Sequence, residues 1–342
     1  MPDPALYTAV LLGATISSLL LIVVGRRLLV GSVHRGATAA SQAAAVPRGL
    51  VIGAMLIGLV VGFGWLKGVP RWPPRQAFDR LLIYIFPLLI LLELFVARAQ
   101  QARRLWQLRT GPYSIRGVMH GVIALLIPVL AIRILLHGSI YLHQLTLAQS
   151  ILYFSLMLLV SIIWLVLAWV LDELAADDLV SSNTGIGLAL IAALLACSAT
   201  MMLTGYVTGG AAAMPFVGVI LGAMMGVPAA LGRRPDVEVM RALVSVGFTG
   251  LMMLVLLGWL FGGLSTWQSV VLLFSPGLLA LPRWLMPMSE TAGQQLRRVC
   301  KRRMISGLLL VAVLLGVLVF QAKREFDRKY EPLRFRGSGL QP

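Results

Sequence analysis

Charged residues are scarce in this sequence of 342 residues. Asp, Glu, Lys and Arg together make up 12% of it, about half of the roughly 25% that soluble domains carry. Long apolar runs alternate with short Arg-rich or polar breaks. An apolar run of about 20 residues crosses a bilayer as a helix, because a helix satisfies its own backbone polar groups in lipid. Since the runs are continuous and do not alternate as barrel strands do, the sequence predicts an all-α integral membrane protein.

Cysteine and recognisable catalytic motifs are also lacking. Cys197 and Cys300 have no CxxC spacing, so the sequence indicates neither a disulfide framework nor a metal site. It contains no HExxH, no GxSxG and no phosphate-binding glycine loop followed by Lys and Ser or Thr. The sequence therefore predicts no catalytic residue and no cofactor, and it favours a protein that is not an enzyme.

About ten membrane-spanning helices are predicted from the apolar runs. They lie near residues 5–25, 49–66, 81–97, 118–137, 147–171, 185–206, 211–231, 242–263, 267–286 and 304–322. The first run is too long for the apolar region of a cleavable signal peptide, and no basic residue precedes it. We expect one membrane domain over residues 1–322 and a basic, flexible tail over residues 323–342.

The basic residues predict the orientation of these helices. The net charge of +16 comes from arginines at the ends of apolar runs, where they set topology and contact anionic lipid headgroups, so nucleic acid is not an expected partner. With the N-terminus outside, the inner loops hold 18 Lys and Arg residues and the outer loops and tail hold 10. Arginine outnumbers lysine by 25 to 4, which suggests a GC-rich bacterial genome and hence the cytoplasmic membrane.

Small residues recur at every fourth position in several runs. Gly218, Gly222 and Gly226 form the longest such stripe. A stripe of this kind lies on one helix face and lets a second helix backbone approach closely. The partner is either another helix of the same bundle or a second copy of the chain.

Hydroxyl groups and prolines interrupt some of the apolar runs. Thr200, Thr204 and Thr208 have helical spacing, and they either line a polar path or donate to carbonyls of their own helix. Pro87 and Pro276 fall in the middle of predicted helices. Such breaks free backbone groups that bind substrates or ions in transporters, although they are also tolerated as plain kinks.

Ionisable residues inside the apolar runs are candidates for function, because burying a charge in lipid is costly. Their depths predict a pair between Glu93 and His120 at the inner side, and a pair between Asp79 and either Arg133 or His137 at the outer side. The alternative is that the charged groups extend to the nearest interface.

An acidic run follows the fifth predicted helix, and it either holds a divalent cation weakly, pairs with the Arg-rich inner loops or is solvated. It consists of Asp172, Glu173, Asp177 and Asp178. The run resembles one of the two Asp-rich motifs with which membrane prenyltransferases hold a magnesium diphosphate, but the order of residues differs and a second motif is absent.

Three functions are compatible with these patterns. The first is a transporter-like or permease-like protein with a polar path among the third, fourth and sixth helices. The second is a structural or assembly subunit that docks a membrane partner or a second copy. The third is a membrane enzyme that acts on a lipid or polyprenyl substrate through the acidic run.

Overall fold

The computed structural model describes residues 4–33, 48–68, 77–80, 83–84, 180–231, 237–282 and 294–337, together with the single residues 155, 162 and 166. The regular elements in these ranges are helices. They are α1 (Pro4–Val33), α2 (Arg48–Lys67), α3 (Ala77–Arg80), α4 (Val180–Leu203), α5 (Val207–Ala211), α6 (Ala213–Leu231), α7 (Val237–Phe261), α8 (Thr266–Phe274), a 3₁₀ helix (Ser275–Ala280) and α9 (Gln294–Gly337).

Six stretches of the described residues are long and apolar enough to cross a membrane as helices. They are Pro4–Leu28, Gly49–Lys67, Thr184–Leu203, Val207–Ala230, Ala242–Phe261 and Met304–Lys329. The predicted class, an all-α multi-pass membrane protein, is therefore confirmed. The predicted count of about ten is not shown, because the predicted helices at 81–97, 118–137 and 147–171 lie almost entirely outside the described residues.

Helix α1 shows how the apolar sequence is divided between the bundle and the lipid. Every fourth residue is buried, as in Val10, Ala14, Ser18 and Ile22. The opposite face is about half exposed and carries Leu12, Ile16, Leu20 and Val24. Neither of these two faces carries a charged residue between Val10 and Val24, whereas the outer face of a helix in a water-soluble protein is polar. The exposed aliphatic face is therefore suited to lipid.

Helices α1, α2 and α6 meet through small side chains. A Cβ atom added at Gly58 of α2 would lie 3.0 Å from the carbonyl oxygen of Ala14 and 2.8 Å from Cγ1 of Val219. One added at Gly62 would lie 3.1 Å from the Cβ of Ala14. Glycine at these positions lets three backbones approach, which gives the dispersion contacts that hold helices together in lipid.

Helix α7 occupies the centre of the described bundle. Almost all of its side chains from Ala242 to Leu257 whose surroundings are described are buried, and it packs against α2, α4, α6 and α8. At its middle, Gly250 faces the ring of Phe216, which makes an edge-to-face contact with Phe63 at a centroid distance of 5.7 Å. A helix that is apolar all round is expected at such a position.

The packing contacts also fix the direction of each helix. Gly218 faces Leu11 and Gly226 faces Ile22, so α1 and α6 run parallel. Gly25 faces Leu50, so α2 runs opposite to α1. By the same kind of contact, α4 and α7 run opposite to α6.

These directions give the bundle two chemically different ends. One, which we call the arginine end, holds the basic positions Arg26, Arg27, Arg48, Arg241, Arg297, Arg298, Arg302 and Arg303. The other, which we call the aromatic end, holds Tyr7, Trp65, Tyr206, Trp259 and Trp267. Basic residues also lie at this end, at the end of α2 and in the last part of α9: Lys67, Lys323, Arg324, Arg328, Lys329, Arg334 and Arg336. Aromatic residues favour the interface between headgroups and hydrocarbon, and arginines mark the cytoplasmic side.

Helix α9 is much longer than a membrane crossing. Its 44 residues extend about 66 Å, compared with a hydrocarbon core of about 30 Å. Met304 packs on Gly185 near the arginine end, so α9 runs parallel to α4. The helix continues through residues 323–337, which belong to the predicted basic tail; the flexibility of that tail stays a prediction.

Candidate functional site at the interrupted helix

Helix α8 and the 3₁₀ helix together cross the bundle, although neither is long enough alone. The crossing begins at the aromatic end, where the indole Nε1 of Trp259 donates a hydrogen bond to Oγ1 of Thr266 at 3.4 Å. It ends beside α9, where a Cβ atom added at Gly307 would lie 3.3 Å from the Cα of Leu279. Nine α-helical and six 3₁₀ residues rise about 25 Å. The described part of the predicted helix at 267–286 is thus a shorter apolar segment that is interrupted in its middle.

The interruption is caused by Pro276 and is stabilised by Ser275. Proline has no N–H to donate to the carbonyl four residues earlier, which here belongs to Leu272. Oγ of Ser275 donates to that carbonyl oxygen at 2.9 Å, and Ser275 is fully buried. The helix then tightens to 3₁₀ geometry. The hydroxyl group therefore replaces the hydrogen bond that proline removes, as polar side chains do in membrane helices.

The N-terminus of α8 is closed by a capping box. The side chain of Ser265 accepts a hydrogen bond from the backbone N–H of Gln268 at 3.4 Å, and Oε1 of Gln268 accepts one from the backbone N–H of Ser265 at 3.0 Å. This arrangement satisfies two backbone donors that would otherwise lack a partner.

The amide nitrogen of Gln268 is left without an acceptor. Gln268 is only 1% exposed, and its Nε2 atom is buried and makes no hydrogen bond. A buried amide without a partner costs about 1–3 kcal/mol. A water molecule or a polar ligand that reaches this end of the crossing would remove that cost.

A second cluster of polar groups lies in the neighbouring turns at the aromatic end. Helix α4 ends at Leu203, and Gly205 reverses the chain with a φ of +96°. Gly262, in the turn after α7, packs against the ring of Tyr206. Burial raises the pKa of the Tyr206 phenol, an effect that its hydrogen bond with Thr208 partly opposes.

The three predicted threonines do not form one helical face. The chain turns at Gly205, so Thr208 belongs to α5 rather than to α4. Oγ1 of Thr200 donates to the carbonyl oxygen of Ala196 at 2.6 Å, and Oγ1 of Thr204 donates to that of Met201 at 2.8 Å. Both hydroxyl groups thus donate to carbonyl oxygens of their own helix, which is the second of the two roles predicted for these threonines. Thr208 therefore does not continue the helical spacing of Thr200 and Thr204, and a polar path through these residues stays a prediction.

The predicted glycine stripe faces α1 of the same chain. A Cβ atom at Gly218 would lie 2.7 Å from the carbonyl oxygen of Leu11, and one at Gly226 would lie 3.2 Å from the Cα of Leu19. Gly222, between them, faces Ser18. The structure therefore places the stripe in the intramolecular packing and not on a free surface.

Most of the predicted ionisable pairs lie outside the described residues. This holds for the pair of Glu93 and His120, and for Arg133 and His137. Asp79 is described in α3, and its charge acts on Lys67 at the end of α2. The metal candidates Asp172, Glu173, Asp177 and Asp178 also lie outside. The residues that the structure does describe contain no group of three or more His, Cys, Asp or Glu side chains suited to a metal ion.

Three residues of the interrupted segment were not predicted from the sequence to have a role. The capping box of Ser265 and Gln268 has a recognisable signal, since Ser followed three residues later by Gln precedes an apolar run. Ser275 was visible beside Pro276, but its acceptor depends on side-chain geometry that spacing does not reveal.

Comparison with protein-family models, with curated proteins and with solved structures gives no match to this chain.

Proposed function

We propose that this chain is a transporter-like, permease-like membrane protein in which the interrupted helix lines the path of the transported molecule. The observation that carries the proposal is an apolar segment that changes from α to 3₁₀ geometry at Pro276 and has a buried unpaired amide at Gln268. Interrupted helices at membrane depth present backbone and side-chain polar groups to substrates in many transporters. The surrounding crossings of the described bundle provide a more regular scaffold.

The proposal includes ten membrane crossings with the N-terminus outside, in the cytoplasmic membrane of a bacterium. Its support is the count of 18 Lys and Arg residues in the predicted inner loops against 10 in the outer loops and tail, which matches the bias of cytoplasmic loops towards basic residues. The described part contributes six long helices and the interrupted crossing. The three remaining crossings correspond to the apolar runs at 81–97, 118–137 and 147–171.

Thiol accessibility at the interruption tests the proposed path. Ser275→Cys preserves the size of the side chain and is made in a chain whose two natural cysteines are replaced, as Cys197→Ala and Cys300→Ser. A path that opens during transport exposes the new thiol to water, so a membrane-impermeant methanethiosulfonate reagent should modify it in native membranes. Leu309→Cys, on the exposed face of α9, is the lipid-facing control and should remain unmodified.

The two thiols give a clear criterion. If Ser275→Cys is as unreactive as Leu309→Cys from both sides of the membrane, water does not reach the interruption and the transporter-like proposal is wrong. Correct folding of each variant is checked by its thermal unfolding in detergent.

An assembly subunit is the second candidate, and the length of α9 favours it. The helix begins at Gln294, ten residues before the apolar stretch, and ends at Gly337, eight residues after it. Such extensions present helical surface beyond the membrane to a partner. Truncation after residue 329 should then remove a larger assembly on native gels, whereas a transporter-like protein without a partner keeps its size.

A further inference from the structure

Arg26 continues the buried face of α1. The fully buried positions of this helix recur every fourth residue from Val10 to Ile22, and the next position in the series is Arg26. Its side chain is half-buried, whereas that of the neighbouring Arg27 is exposed. The aliphatic part of Arg26 therefore lies along the bundle and leads its guanidinium group to the arginine end.

Small residues surround this position on the helices that flank α1. Gly226 of α6 packs on Leu19 and Ile22, and one turn further along the parallel helices the facing positions are Ala230 and Arg26. On the other side, a Cβ atom at Gly25 would meet Cδ1 of Leu50 near the start of α2. The flanking positions thus carry short or apolar side chains.

The guanidinium group of Arg26 has neither a hydrogen-bond acceptor nor an anionic partner among the described residues. Its Nε atom is buried and makes no hydrogen bond, and the described part of the chain gives Arg26 no ion pair. The sequence from residue 4 to residue 78 contains no Asp or Glu, so α1 and α2 bring no carboxylate to this end. A buried N–H of a charged group without an acceptor is more costly than that of a neutral one.

The position of Arg26 matches the layer of lipid phosphates. The apolar stretch of α1 ends at Leu28, two residues later, and the arginine end is the proposed cytoplasmic side. Anionic phospholipids attract basic residues at this depth, and the planar guanidinium group binds two phosphate oxygens through parallel hydrogen bonds.

We propose that Arg26 binds the phosphate group of an anionic phospholipid at the arginine end of α1. The terminal amino groups of the guanidinium donate to two phosphate oxygens, since the Nε atom is buried. The site is independent of the proposed transport function and takes a lipid as a bound structural ligand.

Lipid-dependent thermal stability of the full-length, delipidated protein tests this site. Phosphatidylglycerol in detergent micelles should raise the unfolding temperature of the wild type in a saturable way, and zwitterionic phosphatidylcholine should raise it less. In Arg26→Gln, the phosphatidylglycerol concentration that gives half of the maximal rise in unfolding temperature should be at least tenfold higher. Arg27→Gln removes the same charge from an exposed neighbour and should retain the wild-type response.

Three further outcomes distinguish the alternatives. Arg26→Lys keeps the positive charge but cannot make two parallel hydrogen bonds from a planar group, so it should also bind the lipid more weakly. A wild-type response of Arg26→Lys would show that the two hydrogen bonds to phosphate are not formed. Inorganic phosphate at millimolar concentration should have no effect, and an equal effect would show a free-phosphate site. An unchanged response of Arg26→Gln, with native mass spectrometry still showing the same number of bound lipids, would overturn the proposal.

Discussion

Gly222 of α6 lies directly against Ser18 of α1. A methyl group at Gly222 would overlap the hydroxyl oxygen of Ser18 and would come within 2.6 Å of the carbonyl oxygen of Thr15. A backbone carbonyl cannot turn away as a flexible side chain can. The absence of a side chain at Gly222 therefore sets how closely α1 approaches the rest of the bundle.

The first prediction concerns this contact. Gly222→Ala should lower the free energy of unfolding by about 1–3 kcal/mol, because overpacking forces two helices apart. Gly53→Ala in α2 is the matched control, since a Cβ atom there meets nothing within 4 Å. Both substitutions bring the same gain in helix propensity, so the difference between their unfolding temperatures in detergent isolates the clash. Equal unfolding temperatures would show that α1 does not pack on this stripe.

The second prediction concerns the interruption of the crossing. Ser275→Ala removes the donor to the carbonyl oxygen of Leu272 and should destabilise the protein by about 1 kcal/mol, the scale of a side-chain hydrogen bond in membrane proteins. Thr8→Ala is the control, because the hydroxyl of Thr8 donates to a carbonyl of an unbroken helix at an exposed position. A loss of stability in both variants, or in neither, would contradict the role assigned to Ser275.

The third prediction concerns the number of crossings between α2 and α4. These two helices run in the same direction, since both run opposite to α6. Helix α2 therefore ends at the aromatic end, and α4 begins at the arginine end. An odd number of crossings between residues 68 and 180 is required, which the three predicted apolar runs satisfy.

Side-specific modification with a polyethylene glycol maleimide tests whether the number of crossings between α2 and α4 is odd. Lys67→Cys and Ser182→Cys, made separately in the cysteine-free chain, should react from opposite sides of sealed, oriented vesicles. Reaction of both from one side would mean an even number of crossings, and the proposal of ten would then be wrong.

The sequence predicted the positions of the described helices because hydrophobic length is a local property. The predicted span at 49–66 corresponds to Arg48–Lys67, and that at 242–263 contains most of Val237–Phe261. The end of α4 was placed three residues too late, because the positive φ of Gly205 is set by the turn and not by composition.

The partners of particular residues were much less predictable. The stripe of Gly218, Gly222 and Gly226 indicated close packing, but any helix with small residues suits such a stripe, so α1 was not identifiable as its partner. The threonine spacing suggested one face until Gly205 broke the helix. The unpaired atoms of Gln268 and Arg26 depend on the position of every neighbouring acceptor, which no local pattern contains.

The central claim is that the interrupted segment α8 and its 3₁₀ continuation cross the membrane. Helices α7 and α9 run in the same direction, so the chain between them has to return from one side to the other. Labelling of Thr266→Cys and Arg302→Cys, both at exposed positions, with an impermeant maleimide in intact cells tests this most directly. Thr266→Cys should react in intact cells and Arg302→Cys only after permeabilisation; reaction of both from the same side would contradict the crossing.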